Sequence, residues 1–193
     1  MVEMGQRAIT IYTADGADAH ISADDDAFIY SALAGVKSGV LGNLTCVKID
    51  DNTVRLSGGG VMNRGHMLRI PDGETLDLTV PSGTAGYQRY DSVVAEFIKG
   101  GGETPDVYRI RLMTGTPVTA GAQPPSVIHS SLLNQNDVNQ LELFRLYLEG
   151  TTLTGITPIL PRLTGWTAWP HITYGTAAPS GGSDGDIYLR LAE

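Results

Sequence analysis

Gly181-Gly182-Ser183-Asp184-Gly185 carries the Gly-x-Ser-x-Gly spacing of a nucleophile elbow, in which a serine on a tight turn attacks an acyl carbon. That chemistry needs a buried strand before the serine, a helix after it, and a histidine further along to take the proton. Here a Pro-Ser-Gly loop precedes the motif, a strand pattern follows it, and no histidine comes after His171. A hairpin loop accounts for the same residues. Asp24, Asp25 and Asp26 raise the question of calcium. Consecutive carboxylates point in different directions, however, and a calcium loop wants them at alternate positions. Cys46 sits inside an apolar-alternating run with no base or positive charge arranged to activate a thiolate, so it reads as a small buried hydrophobe. His66 has no second metal-type residue at ligand spacing and reads as a rim residue. Gly100-Gly101-Gly102 lacks the lysine and following helix of a phosphate loop. Ser126 with His129, or Glu142 with Glu149, become dyads only if the fold happens to bring them together. The expectation is a protein with no catalytic residue, no metal and no cofactor.

Binding offers more. Trp166, Trp169, His171 and Tyr174 gather both tryptophans of the chain with a histidine and a tyrosine in a short stretch. Flat aromatic rings stack on sugar faces, and they also anchor protein interfaces. These four are the candidate ligand or interface residues, with an interface as the favoured use and a saccharide as the alternative. Arg109 and Arg111 fall on one face of a strand and could meet an anionic partner, although a solvated face suits them better.

The elements that would position these groups are mostly strands. The chain has 193 residues, of which 18% are charged, and 24 are glycine. So few charges and so many glycines suit short strands joined by tight turns better than helices. The formal charge of −8 argues against nucleic acid, whose phosphates need clustered Lys and Arg, and against anionic membrane surfaces. No apolar run is long enough to span a bilayer. No leader is evident near Met1, and the expectation is synthesis in the cytoplasm without export by the usual route.

Residues 8–12 alternate as a short strand. A helix is expected over about 23–38, with Ser22 as N-cap, the aspartates in the first turn against the helix dipole, and Phe28, Ile29, Ala32, Leu33 and Val36 as its buried stripe. Gly39 would end it. From Asp50 to Val80, four alternating runs separated by Asp-Asn, Gly-Gly-Gly, Asn-Arg-Gly and Pro-Asp-Gly read as an antiparallel meander. Gly65 takes the left-handed position of a three-residue hairpin loop. Further strands are expected at Tyr90–Lys99, Val107–Met113, Leu141–Leu148 and Thr152–Ile159, with 114–127 as an extended connection and 126–140 open between strand and helical turn. A closing hairpin straddles Thr176–Gly185. The fold class is mainly β, an antiparallel, meander-rich β-sandwich with one short N-terminal helix and a C-terminal β-hairpin arm. Its parts are an assembly segment at 1–42, a sandwich domain at 43–160 and an arm at 161–193.

This order of parts, the acidic-capped stretch Asp24–Leu41, then Asn52–Ile70, Leu76–Val80, Tyr87–Glu96 and the Thr-Gly-Thr-Pro connection, resembles the baseplate and receptor-binding tail-tip proteins of long-tailed phages and prophages of Gram-positive bacteria. The ending Tyr174–Tyr188 looks like a hairpin of phage tail appendages. The resemblance spans roughly residues 20–160 plus that ending and rests on turn patterns. It implies a non-enzymatic structural protein of the virion tail, serving host attachment or acting as an adaptor for receptor-binding proteins. It also implies β-rich modules, homo-oligomers with a trimer favoured, contacts to other tail proteins and possible attachment to cell-wall saccharide. It supplies no catalytic residues.

Overall fold

A computed structural model describes residues 23–34, 38–101, 104–163, 172–178 and 187–190. They fall into two compact units divided after Leu163. The first unit opens with helix α1 (Ala23–Ala34) and continues as strands β1 (Ser38–Leu41), β2 (Cys46–Asp50), β3 (Thr53–Leu56), β4 (Gly59–Asn63), β5 (His66–Ile70), β6 (Leu76–Thr79), β7 (Gln88–Ile98), β8 (Val107–Met113), β9 (Val138–Glu149) and β10 (Thr152–Pro158). All the pairings of this unit's named strands are antiparallel. The chain is mainly β, as the glycine count and alternating runs indicate.

Three sheets share one core. The largest has the order β10-β9-β7-β8, and the smaller ones run β1-β4-β5 and β2-β3-β6. The alternation of β7 and β9 turns Val93, Ala95, Leu146 and Leu148 inward. There they meet Val54 and Leu56 from β3 and Val61 from β4, all completely buried. Each such leucine or valine contributes about 1.5–3 kcal/mol by leaving water. A bulge between Val93 and Val94 resets the register of β7 on β9. Asp51 ties the small sheet to the large one, accepting from the Leu153 amide at 3.0 Å while Lys48 bridges Asp51 and the Leu153 carbonyl.

The Asp50–Val80 stretch departs from a simple meander. Its middle hairpin, β4–β5, leaves β3 to pair with β1, and β6 returns to the other side of β3. The Gly58–Gly59 crossing allows the switch: a side chain at Gly59, whose φ is +153°, would strike the Leu44 backbone. Helix α1 is shorter than expected, since Ser38 and Gly39 already belong to β1. The 126–140 stretch resolves into an irregular segment followed by β9, which starts at Val138.

The second unit contains β11 (Ile172–Gly175) and β12 (Ile187–Arg190). They pair in parallel, so the expected closing hairpin does not form. Tyr188 lies against Gly175 and donates its hydroxyl to the Ala177 carbonyl at 2.9 Å.

Candidate functional site

The β4–β5 connection is the starting point. Asn63 and His66 are the closing pair, leaving Arg64 and Gly65 as a two-residue turn rather than the three-residue loop expected from sequence. Both have positive φ, 50° and 86°. That is the combination whose twist matches antiparallel strands. Gly65 is required twice over, because a Cβ there would also run into the Ala27 carbonyl. Helix α1 rests on this glycine through Ala27.

The orientation of α1 reverses the sequence expectation. Ala27 is buried, whereas Phe28 is 68% exposed and Leu33 is 46% exposed. The apolar stripe read from the sequence therefore points largely away from the core. The physical reason is the close approach at Gly65: the Ala27 backbone seats against this glycine, which turns Asp25 and Ala27 inward instead of the stripe. The first-turn aspartates also work through side chains, for Asp24 Oδ1 accepts from Lys99 Nζ at 2.6 Å and lies 3.8 Å from His66 Nε2. Ser22, Val36 and the 8–12 strand lie outside the described residues.

Across from the helix stands the loop 131–137. Leu132 has φ 62°, a left-handed conformation that costs a branched residue about 1–2 kcal/mol. Asp137 holds it there, its Oδ2 accepting from the Leu133 amide at 3.0 Å, the Asn134 amide at 3.1 Å and the Ser131 hydroxyl at 3.3 Å. The result turns Leu132 inward and leaves Leu133 83% exposed. Between helix, turn and loop lies an open groove of about 380 Å³, lined by Ala27, Phe28, Arg64, His66, Lys99 and Leu132 among others.

The electrostatics of the groove are nearly spent. Burial alone would lower the Lys99 ammonium, but the hydrogen bond and charge of Asp24, with Asp106 behind it, outweigh burial and raise it. His66 stacks on Phe97 with ring centroids 4.3 Å apart. Burial pushes its pKa down, reinforced by Lys99 and opposed by Asp24 and Asp106, so near neutral pH it is uncharged. Arg64 is exposed and forms no ion pair among the described residues.

The outer face of the large sheet carries the other polar cluster. Arg109 and Arg111 keep solvent-exposed side chains, as expected, but they are not free. They clamp the nearly buried Glu96, Arg109 Nη2 to Oε1 and Arg111 Nη2 to Oε2 each at 2.7 Å, with Gln140 adding a bond at 2.6 Å. Burial would raise this carboxyl, but the three donors prevail and hold it at about 2. Glu142 is likewise kept anionic against burial by Arg145 and Ser92. Such carboxylates are acceptors in structural networks, unsuited to giving up a proton near neutrality. No hydrogen bond joins Ser126 to His129 among the described residues. Cys46 is half-buried against the core, and burial pushes its thiol up to about 11. Among the described residues no three His, Cys, Asp or Glu side chains gather as metal ligands.

Trp166, Trp169 and His171 lie outside the described residues, as does Ser183. The backbone of Tyr174 is in β11, and its side chain is not described. No family model matches the chain, and no curated protein matches it in sequence. The residues that sequence reasoning missed are Arg64, Lys99 and Leu133. Leu132-Leu133 between serine and asparagine was a signal, since two adjacent leucines in a polar loop call for an explanation. Lys99 gave none.

Proposed function

We propose that the chain is a non-enzymatic structural protein of a phage or prophage tail baseplate, acting in host attachment or as an adaptor for receptor-binding proteins. The observation that carries it is the outward presentation of large apolar side chains by a fixed frame. Phe28 and Leu133 stand in water on either side of one groove, held there by a helix seated on a glycine and by a clamped loop. Soluble monomers rarely keep such side chains together on the surface unless something covers them. The layered antiparallel sheets fit the modules of such assemblies, and the buried or half-buried carboxylates Glu96, Asp91 and Glu142 are consumed in structural pairs.

This role expects a homo-oligomer, with a trimer favoured, that also contacts other tail proteins. Sedimentation velocity on the purified chain tests it. A trimer or larger closed ring at micromolar concentration supports assembly, and a strictly monomeric species across the accessible range counts against it.

A further inference from the structure

We propose that the groove between α1, the Arg64-Gly65 turn and the 131–134 loop docks a peptide segment of a partner protein that carries an apolar anchor beside a carboxylate. The proposal names the chemistry of a partner and so rests on the assembly role above.

Three features of the groove select this occupant. Large apolar side chains stand on both of its walls, among polar ones: Phe28 on the helix side, and Leu132 and Leu133 on the loop side. A small molecule lodged between them would leave the outward faces of Phe28 and Leu133 in water, whereas a polypeptide lying across the mouth covers both. Interfaces concentrate their affinity in such anchored side chains at the centre of the contact.

One cation at the rim has no ion pair. Asp24 and Asp106 both answer Lys99, and His66 is neutral near pH 7, while the exposed Arg64 guanidinium forms no ion pair among the described residues. A guanidinium takes a carboxylate in two parallel hydrogen bonds, giving direction as well as attraction. The whole chain is acidic, so a cation left unpaired at the edge of the groove is a local exception to its surface. A lysine-bearing segment would meet this cation unfavourably, and an anionic membrane would meet the net charge of −8.

The geometry is also set in advance. Leu132 is held in a left-handed conformation by the three bonds onto Asp137, and Arg64 is fixed at a positive φ of 50° by the two-residue turn. Strained backbone persists where the surroundings over-determine it, and a frame already ordered loses little entropy on binding.

The test is selection of a displayed library of random linear peptides on the purified chain, with Leu133→Asp as the counter-target. Leu133 is exposed, so this variant should keep the fold, which circular dichroism checks. The expected result is enrichment of sequences with Asp or Glu next to Leu, Ile, Phe or Trp. A labelled peptide from that set should bind the Leu133→Asp and Arg64→Glu variants about tenfold or more weakly, with Arg64→Lys intermediate. No enrichment over the counter-target overturns the proposal, as do enriched sequences that lack acids or binding indifferent to Arg64→Glu. Sedimentation of the same proteins supplies the remaining outcome. Self-association of the wild type that Leu133→Asp abolishes would seat a second copy in the groove and overturn the peptide assignment. Failure here leaves incorporation into tail particles untouched, so the two ideas fall separately.

Discussion

Lys99 Nζ lies 2.6 Å from Asp24 Oδ1, joining the end of β7 to the first turn of α1. The backbone of the same lysine is bonded to the facing loop: its amide donates to the Asp137 carbonyl at 2.9 Å and its carbonyl accepts from the Asn136 amide at 2.8 Å. One residue thus fixes both walls of the groove, its side chain holding the helix and its main chain holding the loop.

Replacing Lys99 by Met should therefore act on one wall only. It keeps the backbone bonds and removes the link to Asp24. A cost of about 1 kcal/mol in global stability is expected, because Asp24 is largely exposed. Hydrogen exchange should accelerate at the amides of α1 while the Asn136 amide keeps its protection. Equal acceleration at both would contradict the division of labour.

A larger loss is expected at Asp91. This carboxylate is fully buried, accepts from Arg89 at 2.9 Å and from the Gly115 amide at 2.9 Å, and pins the start of the 114–127 connection to β7. Asp91→Ala leaves the nearly buried Arg89 without its counter-charge, and such a break costs about 3–5 kcal/mol. Urea unfolding measures it. A change under 1 kcal/mol would show that Arg89 finds another partner.

The Glu96 clamp predicts an acid dependence. An unfolded glutamate titrates near 4.5, whereas the folded one is held at about 2. Its stabilisation is fully present above the unfolded value and is lost as pH falls towards 2. The difference is about 3 kcal/mol. The Glu96→Gln variant should be less stable at pH 7 and show a shallower decline between pH 5 and 2. Parallel stability curves for variant and wild type would refute the clamp.

His66 predicts a dependence of its own at milder pH. Burial beside Phe97 lowers its pKa below the ordinary 6.5, so the fold prefers the neutral ring. Stability from this source is present above the unfolded value and declines as pH drops below 6.5. The His66→Phe variant keeps an aromatic ring against Phe97 and should lack this decline. A wild-type curve flat between pH 6.5 and 5 would contradict the expectation.

How far the sequence announced all this varies with the range of the forces involved. Strands β7, β8 and β10 and the mainly β class were legible, because alternation and turn residues act locally. Gly65 was legible as left-handed for the same reason. The path of β4–β5 was not, since the choice between continuing beside β3 and crossing to β1 depends on packing against distant residues such as Leu44 and Leu163. The face of α1 was read backwards: helical periodicity marks an apolar stripe but cannot say that the helix backbone will seat on Gly65 at Ala27. The clamp of Arg109 and Arg111 on Glu96 was not legible, because Glu96 stands on another strand, across a register that only the fold provides.

The central claim is that this chain is a component of a tail baseplate. The most direct measurement is immunogold electron microscopy, with mass spectrometry, of tailed particles purified after inducing prophages of a strain that encodes it. The account predicts that the chain copurifies with the particles and that gold decorates the distal end of the tail. Particles that lack the chain while it accumulates in the particle-free fraction would contradict it.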